Sequence, residues 1–478
     1  MRPPRFATER SALGESKMKL SLCALALAPF ALATTACGGS DSPPAGNTTP
    51  IDAGVDAAPV VDAAPPIPDA APPPVDAAPD VDNGSPSTAY PAPHPALPQV
   101  VSGGGAVLAH PKVVPIFYSD YDATLLAGAS DFVTQLAAFT SYTTAALSEY
   151  GVAGLTAGTP IMLATPAPIG TATAPYDDSM IQSWLAAQLT AADLPLGAPD
   201  PNAIYTFFFP ASTIISMGGG QGQASLSCQD FGGYHDNIDI AVPNGDGGVA
   251  TQPIAYAVVP SCSDFGGLSG IDMVTGAGSH EIAEAATDPF PSEDLTGYSS
   301  VDDNHLVWEL VLGGGEIGDM CAQNQDAFFK PTGFDYTVQR IWSNASATAN
   351  HDPCVPAASA AYFNSAPNLT DTLALPFGGA TTQGVKVLAG DTATIDIDLF
   401  SDAATSGPWT VRAVEPQTMM GAAATLDLSL DRTTGVNGEK LHLTIKTLTA
   451  NSYGLSAFLL ESTLGTQTVF WPGLVQTK

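Results

Sequence analysis

The sequence predicts an α+β protein: a mixed sheet with covering helices, followed by a smaller all-β sandwich. Three observations carry this. Between Val113 and Thr287, apolar runs of strand length alternate with segments whose apolar residues recur at helical steps. After residue 357 the pattern changes to short segments with every second residue apolar, separated by turn signals. Cys228, Cys262, Cys321 and Cys354 all fall before that change.

The chain has 478 residues, enough for two or three folded units. It carries 14 basic against 47 acidic residues, a formal net charge of −33. Neutralising phosphates requires Lys and Arg, so no nucleic-acid partner is expected. Hydrophobic residues make up 45% and charged residues 13%, so cores can be sizeable and the surface is largely uncharged.

At the N-terminus, residues 1–17 contain Arg2, Arg5, Arg10 and Lys17 but no apolar run. Met18 opens a better export signal and is the expected true start: Lys19 supplies positive charge, and Leu20 to Leu32 form an apolar core too short to span a bilayer. Thr34-Thr35-Ala36-Cys37 then resembles a bacterial lipobox, with Thr34 where Leu is usual. The resemblance implies a lipid on Cys37 that ties the chain to a membrane, and Gly38 after it implies sorting to the outer membrane. Residues 38–99 repeat Asp-Ala-Ala-Pro and carry no Lys or Arg, which predicts a stretched, disordered tether.

Folded sequence is expected over 100–356. Val113 to Tyr118 and Pro160 to Ala164 read as strands, and Ala203 to Phe209 as a central strand. Ala123 to Tyr150 and Asp178 to Leu194 read as helices. The glycine-rich stretch Met217 to Gly222 lacks a following Lys, so it is not a phosphate cradle. Ile238 to Val242 and Ile254 to Val259 read as two more strands. Gly270 to Thr287 reads as a helix stopped by Asp288-Pro289. Gly276 and Gly278 weaken it, by about 1 kcal/mol each relative to Ala, and suit close packing. Tyr336 to Asn344 reads as the last strand before the sandwich at 357–478, where Ala393 to Leu399, Leu426 to Leu430, Leu441 to Ile445 and Val469 to Trp471 alternate.

The chemistry concentrates at Ser279 to Pro289. His280 and Glu284 are four residues apart and leave one face of a helix, with Glu281 beside them. This H-E-x-x-E pattern resembles the zincin motif H-E-x-x-H, with a carboxylate replacing the second histidine. The resemblance implies a zincin-like sheet and Zn²⁺ on His280 and Glu284, with Glu281 as general base. A third ligand is needed. Glu316 is the first candidate, and Asp319 could orient or replace it; Asp288, His305, Glu309 and His235 are reserves, with His235 read first as a structural, hydrogen-bonded histidine. Four leftover cysteines in an exported chain point to two disulfides. Cys228–Cys262 with Cys321–Cys354 is the preferred pairing among three.

Further motifs extend the resemblance. His280 to Ala285 with Thr287-Asp288-Pro289, Glu316 to Cys321, Gln339-Arg340-Ile341-Trp342-Ser343, Gly233-Tyr234-His235 and Ala241 to Gly245 occur in the order seen in the EXORDIUM, or phosphate-induced protein, family. The resemblance covers about residues 105–356. It implies an extracellular protein, zincin-like in bacterial members that keep the His-Glu pair. Two functions are therefore expected in competition: a surface-anchored zinc-dependent hydrolase, most simply a monomeric metallopeptidase acting on a peptide or cell-wall substrate, or a non-catalytic extracellular or cell-wall interaction protein.

Overall fold

A computed structural model describes residues 82–191, 195–218, 224–244, 247–376, 379–419, 421–449 and 453–477. The expectations for the export signal, for Cys37 and for the repeats up to residue 81 lie outside the described residues. So does the centre of the glycine-rich stretch near residue 220.

The described chain is mixed α+β, richer in strand than in helix. Its first sheet runs in the order Thr156–Ala157, Lys112–Phe117, Ala203–Phe209, Val249–Pro260, Tyr234–Pro243, with Ile161–Met162 also on Lys112–Phe117. The pairs from Thr156–Ala157 to Val249–Pro260 are parallel, and Tyr234–Pro243 closes the edge antiparallel. Ala203–Phe209 is central and buried along its whole length. A strand covered on both faces reads as a continuous apolar run, which is why its sequence shows no alternation.

Tyr205, Phe207 and Phe209 pack on one side with Ile181, Leu185 and Leu189 of the helix Asp178–Ala191. Phe208 faces the other side, towards Phe132 and Leu136 of the helix Ala123–Ala138 and Val274 and Ile282 of the helix Gly270–Thr287. Gly276 and Gly278 allow this closeness. A Cβ at Gly278 would touch Phe132, and one at Gly276 would press on Leu268 and Phe328.

Two expectations need correction here. The helix read over Ala123 to Tyr150 is broken: Ala123–Ala138 ends at Phe139, and Thr140–Leu147 follows as a second helix. Phe139 leaves the helical path and stacks on Phe334, with ring centroids 4.9 Å apart. The strand read over Tyr336 to Asn344 shrinks to Val338–Gln339, and Asn344 instead opens a short helix capped by Ser343.

The tether also ends earlier than residue 99. Asn437 takes the Ala92 N–H at 3.0 Å and donates to the carbonyls of Ser87 and Ala89. His94 stacks on Phe400 at 3.6 Å, and Ala92 and Leu97 are buried. Residues 83–99 therefore lie against the folded chain. The contacts that hold them come from residues far along the sequence, so local composition did not show them.

The last part is two facing sheets. One runs Phe363–Pro367, Thr392–Ser401, Lys440–Thr447, Leu426–Leu430, all antiparallel. The other runs Asp371–Ala374, Thr381–Val387, Gln467–Thr477, Leu455–Leu464, Trp409–Val414, Thr434–Gly435, and is parallel where Thr381–Val387 meets Gln467–Thr477. Leu399, Leu443, Trp409 and Phe458 fill the space between. The same apolar cluster continues into the first part through Trp308 and Trp342, and Trp308 meets Trp471 at 5.7 Å.

Candidate metal centre

The helix Gly270–Thr287 runs as far as its sequence signals suggest, and the Asp288 N–H closes on the Glu284 carbonyl. His280 and Glu284 share a face, with His280 Nε2 2.9 Å from Glu284 Oε2. Three other segments converge on that face.

The first is the loop Gly313 to Asp319. Gly313 ends the preceding helix in the left-handed region, at φ +93°. The backbone N–H groups of Gly318 and Asp319 both donate to Glu284 Oε1, at 3.0 and 3.1 Å. Gly318 must lack a side chain: a Cβ there would sit 2.7 Å from both Glu284 Oε1 and His280 Nδ1. Asp319 Oδ1 reaches to 3.7 Å from His280 Nε2.

The second is Gln339. Its N–H is held by Ser279 Oγ at 2.8 Å, and its side-chain amide donates to the Gly318 carbonyl at 2.7 Å. That fixes Gln339 Oε1 as an acceptor, 2.9 Å from His280 Nδ1. His280 therefore carries a proton on Nδ1, and Nε2 is the nitrogen turned inward to Glu284.

The third is the edge strand Tyr234–Pro243. Tyr234, Ile238 and Ile240 face the apolar layer, so His235 and Asn237 face the other way. His235 is 4% exposed at its side chain. Its Nε2 lies 3.1 Å from the Asp288 carbonyl, and its Nδ1 lies 3.7 Å from Glu281 Oε2 and 3.8 Å from Glu284 Oε2. Glu281 rests against Gly233, where a Cβ would come within 2.6 Å of its Oε1.

Five of the eight predicted and reserve donors thus form two groups that share Glu284. His280, Glu284 and Asp319 make one; His235, Glu284 and Glu316 make the other, each with one donor atom per residue and all within 4.8 Å. Glu316, the first candidate for third ligand, joins His235 rather than His280. Asp288 acts from behind: Oδ1 accepts from the Gly297 N–H at 2.6 Å, and its carbonyl faces His235. His305 pairs with Asp302, and Glu309 takes the Ser300 hydroxyl and the Val301 N–H, so both are engaged elsewhere. His235 is the residue whose importance the sequence understated. Its neighbour Gly233 was the local signal, since a glycine can admit a buried side chain from another element.

Both disulfides buttress these segments. Cys228–Cys262 ties the approach to the His235 strand to the end of Val249–Pro260, and Cys321–Cys354 anchors the residues just after Asp319. Disulfides of this kind belong to chains that fold outside a reducing cytosol.

The cluster is electrostatically loaded. Burial disfavours charge on His280, but Glu284, Glu281 and Asp319 lift its pKa well above 6.5. His235 is likewise opposed by burial and raised to about 9 by Glu281, Glu284 and Asp288. Burial pushes Glu281 up, and burial together with Glu284 and Asp319 pushes Glu316 far up. Asp319 rises to about 7 through burial and Glu284. Glu284 alone is held low: burial works against its charge, but His280, His235 and the Asp319 N–H outweigh it.

A divalent metal fits these residues. His280 has its outer nitrogen on the Gln339 amide oxygen and its inner nitrogen turned towards carboxylates, the arrangement that orients an imidazole ligand, and His235 has carboxylates facing both nitrogens. Glu316 Oε1 is buried and makes no hydrogen bond. Imidazole with carboxylates is a donor set that zinc accepts.

No family model matches the chain, and no curated protein matches it. Solved structures align weakly with about a quarter or less of it. Domains 4 and 5 of the S-layer protein SbsC align at 19% identity over 23% of this chain and 54% of that one, with a TM-score of 0.15. The chain thus spans about half of that S-layer fragment. The titin M3 domain aligns at 8% identity over 20% of this chain and 88% of its own, also at 0.15. Likenesses this slight carry no argument about function.

Proposed function

We propose that this chain is an exported, surface-anchored, zinc-dependent hydrolase, most specifically a metallopeptidase. The observation that supports it is the paired orientation of His280 and His235 around Glu284, with Glu281 on the same bay. His280, Glu284 and Asp319 would hold the catalytic ion. When bound, zinc supplies Lewis acidity and lowers the pKa of a ligated water. Glu281 would take the proton from that water, and burial raises its pKa above the ordinary carboxylate value, the direction that suits a general base. Gln339 keeps His280 in the ligating tautomer. His280 and His235, with the Asp319 N–H, keep Glu284 ionised. The order of motifs resembling the EXORDIUM family adds support for an extracellular setting, and lipid on Cys37 would supply the outer-membrane anchor.

The test is hydrolysis of a peptide mixture by the zinc-loaded full chain. Glu281→Gln should abolish turnover while keeping the metal, and His280→Ala should lose both. Turnover by Glu281→Gln at the wild-type rate would refute the enzyme.

One observation favours the second reading, a non-catalytic cell-wall or surface interaction protein that uses the metal structurally. The Glu281 side chain is only 5% exposed. Under that reading zinc still binds, and no substrate is turned over by any form.

A further inference from the structure

Glu284 presents a single oxygen to both histidines. Its Oε1 is occupied by the N–H groups of Gly318 and Asp319. Its Oε2 lies 2.9 Å from His280 Nε2 and 3.8 Å from His235 Nδ1. We infer that the site holds two divalent metal ions of the zinc or manganese type, with Glu284 bridging them: one on His280 and Asp319, the second on His235 and Glu316. This inference rests on the proposed metal centre and extends it.

Three observations place the second ion. First, the His235 ring is buried with carboxylate oxygens at both nitrogens: Nε2 lies 3.4 Å from Glu316 Oε1, beside the Asp288 carbonyl at 3.1 Å, and Nδ1 faces Glu281 and Glu284. Second, the contacts of Nδ1 with Glu281 and Glu284, 3.7 and 3.8 Å, are too long for hydrogen bonds. Donors on one zinc ion, each about 2.0–2.2 Å from it, stand roughly 3–3.5 Å apart; His235, Glu284 and Glu316 each bring a donor atom within 4.8 Å of the others, so a small closing movement would suit an ion among those three. Third, Glu316 Oε1 is buried without a hydrogen bond, 3.4 Å from His235 Nε2. A buried acceptor left in that condition is costly, and a cation relieves it.

Charge counting points the same way. Glu281, Glu284, Glu316 and Asp319 bring four carboxylates into one mostly buried cluster. Counting the buried Asp288 behind them as a fifth, and with the imidazoles neutral as ligands must be, one dication would leave a net charge of −3 there and two would leave only −1. Paired ions sharing a carboxylate clamp a substrate oxygen on either side in hydrolytic enzymes, so the arrangement fits the proposed activity.

The experiment counts metal on the full chain, stripped with chelator and dialysed against zinc. Two zinc ions per chain are expected. His235→Ala and the near-isosteric Glu316→Gln should each reduce this to one, with unchanged circular dichroism. Loading with manganese should give the electron paramagnetic resonance signature of an exchange-coupled pair, lost in Glu316→Gln. One zinc per chain, unaffected by His235→Ala and Glu316→Gln, overturns the second ion and leaves the proposed hydrolase centre standing. One zinc lost equally with His235→Ala or His280→Ala also overturns it, because a single ion would then use both histidines. Wild type that binds no zinc removes both proposals together.

Discussion

His235 and His280 hold opposite ends of one charge cluster, and their behaviour with pH follows from it. Both folded-state pKa values lie above the ordinary 6.5, that of His235 at about 9. A raised folded pKa means that the protonated form stabilises the fold. This contribution is complete below about pH 6.5 and is lost as pH rises through about 9. Glu316 and Asp319 are also raised, so ionising them costs stability in the same direction. Glu284, held low, contributes with the opposite sign in acid. The metal-free chain should therefore melt at a lower temperature at pH 9 than at pH 6.5, and zinc should restore most of the difference. Thermal unfolding of chelated and zinc-loaded protein across this range checks it. A metal-free melting temperature that is flat or rises with pH would contradict the assignment of these protons.

At the scale of elements, the loop that carries Glu316 and Asp319 has little secondary structure of its own: Asp319–Ala322 is a single helical turn. Cys321–Cys354 closes a span of 33 residues that begins just after Asp319. Chain entropy gives a disulfide of this span about 4 kcal/mol. Cys321→Ala with Cys354→Ala should lower unfolding stability by about that amount and weaken zinc retention by loosening Asp319. Equilibrium denaturation and chelator competition on the double variant measure the two effects; unchanged zinc retention would show that the loop is held by Glu284 and Gln339 alone. The sequence was most legible where a feature is local. Helical spacing and the Asp288-Pro289 stop defined the helix with His280 and Glu284, and strict alternation defined Thr392–Ser401 and Lys440–Thr447. It was least legible where pairing across the chain decides. His235 reaches the site only because the strand register turns it away from Tyr234 and Ile238. The break at Phe139 has no Gly or Pro to announce it and depends on Phe334, far along the chain.

For the whole molecule, the part with the candidate metal site and the β-sandwich share an apolar core in which Trp308 contacts both Trp342 and Trp471. The boundary visible in composition near residue 357 is therefore not a break in packing. No helix among the described residues is long and apolar enough to cross a membrane. The proposed anchoring is a lipid on Cys37. Cys37→Ala should move the protein from the membrane fraction to the soluble one, provided that the signal is still cleaved. Unchanged partition of the variant, with no lipid on the wild-type N-terminal peptide by mass spectrometry, would contradict anchoring. Everything proposed for the site depends on its capacity to hold metal. The most direct measurement is equilibrium dialysis of the chelator-stripped full chain and its His280→Ala variant against zinc, with bound metal determined by mass spectrometry. The account predicts stoichiometric zinc on the wild type and loss of zinc from His280→Ala; a wild type that takes up no zinc, or a variant that keeps all of it, would contradict the account.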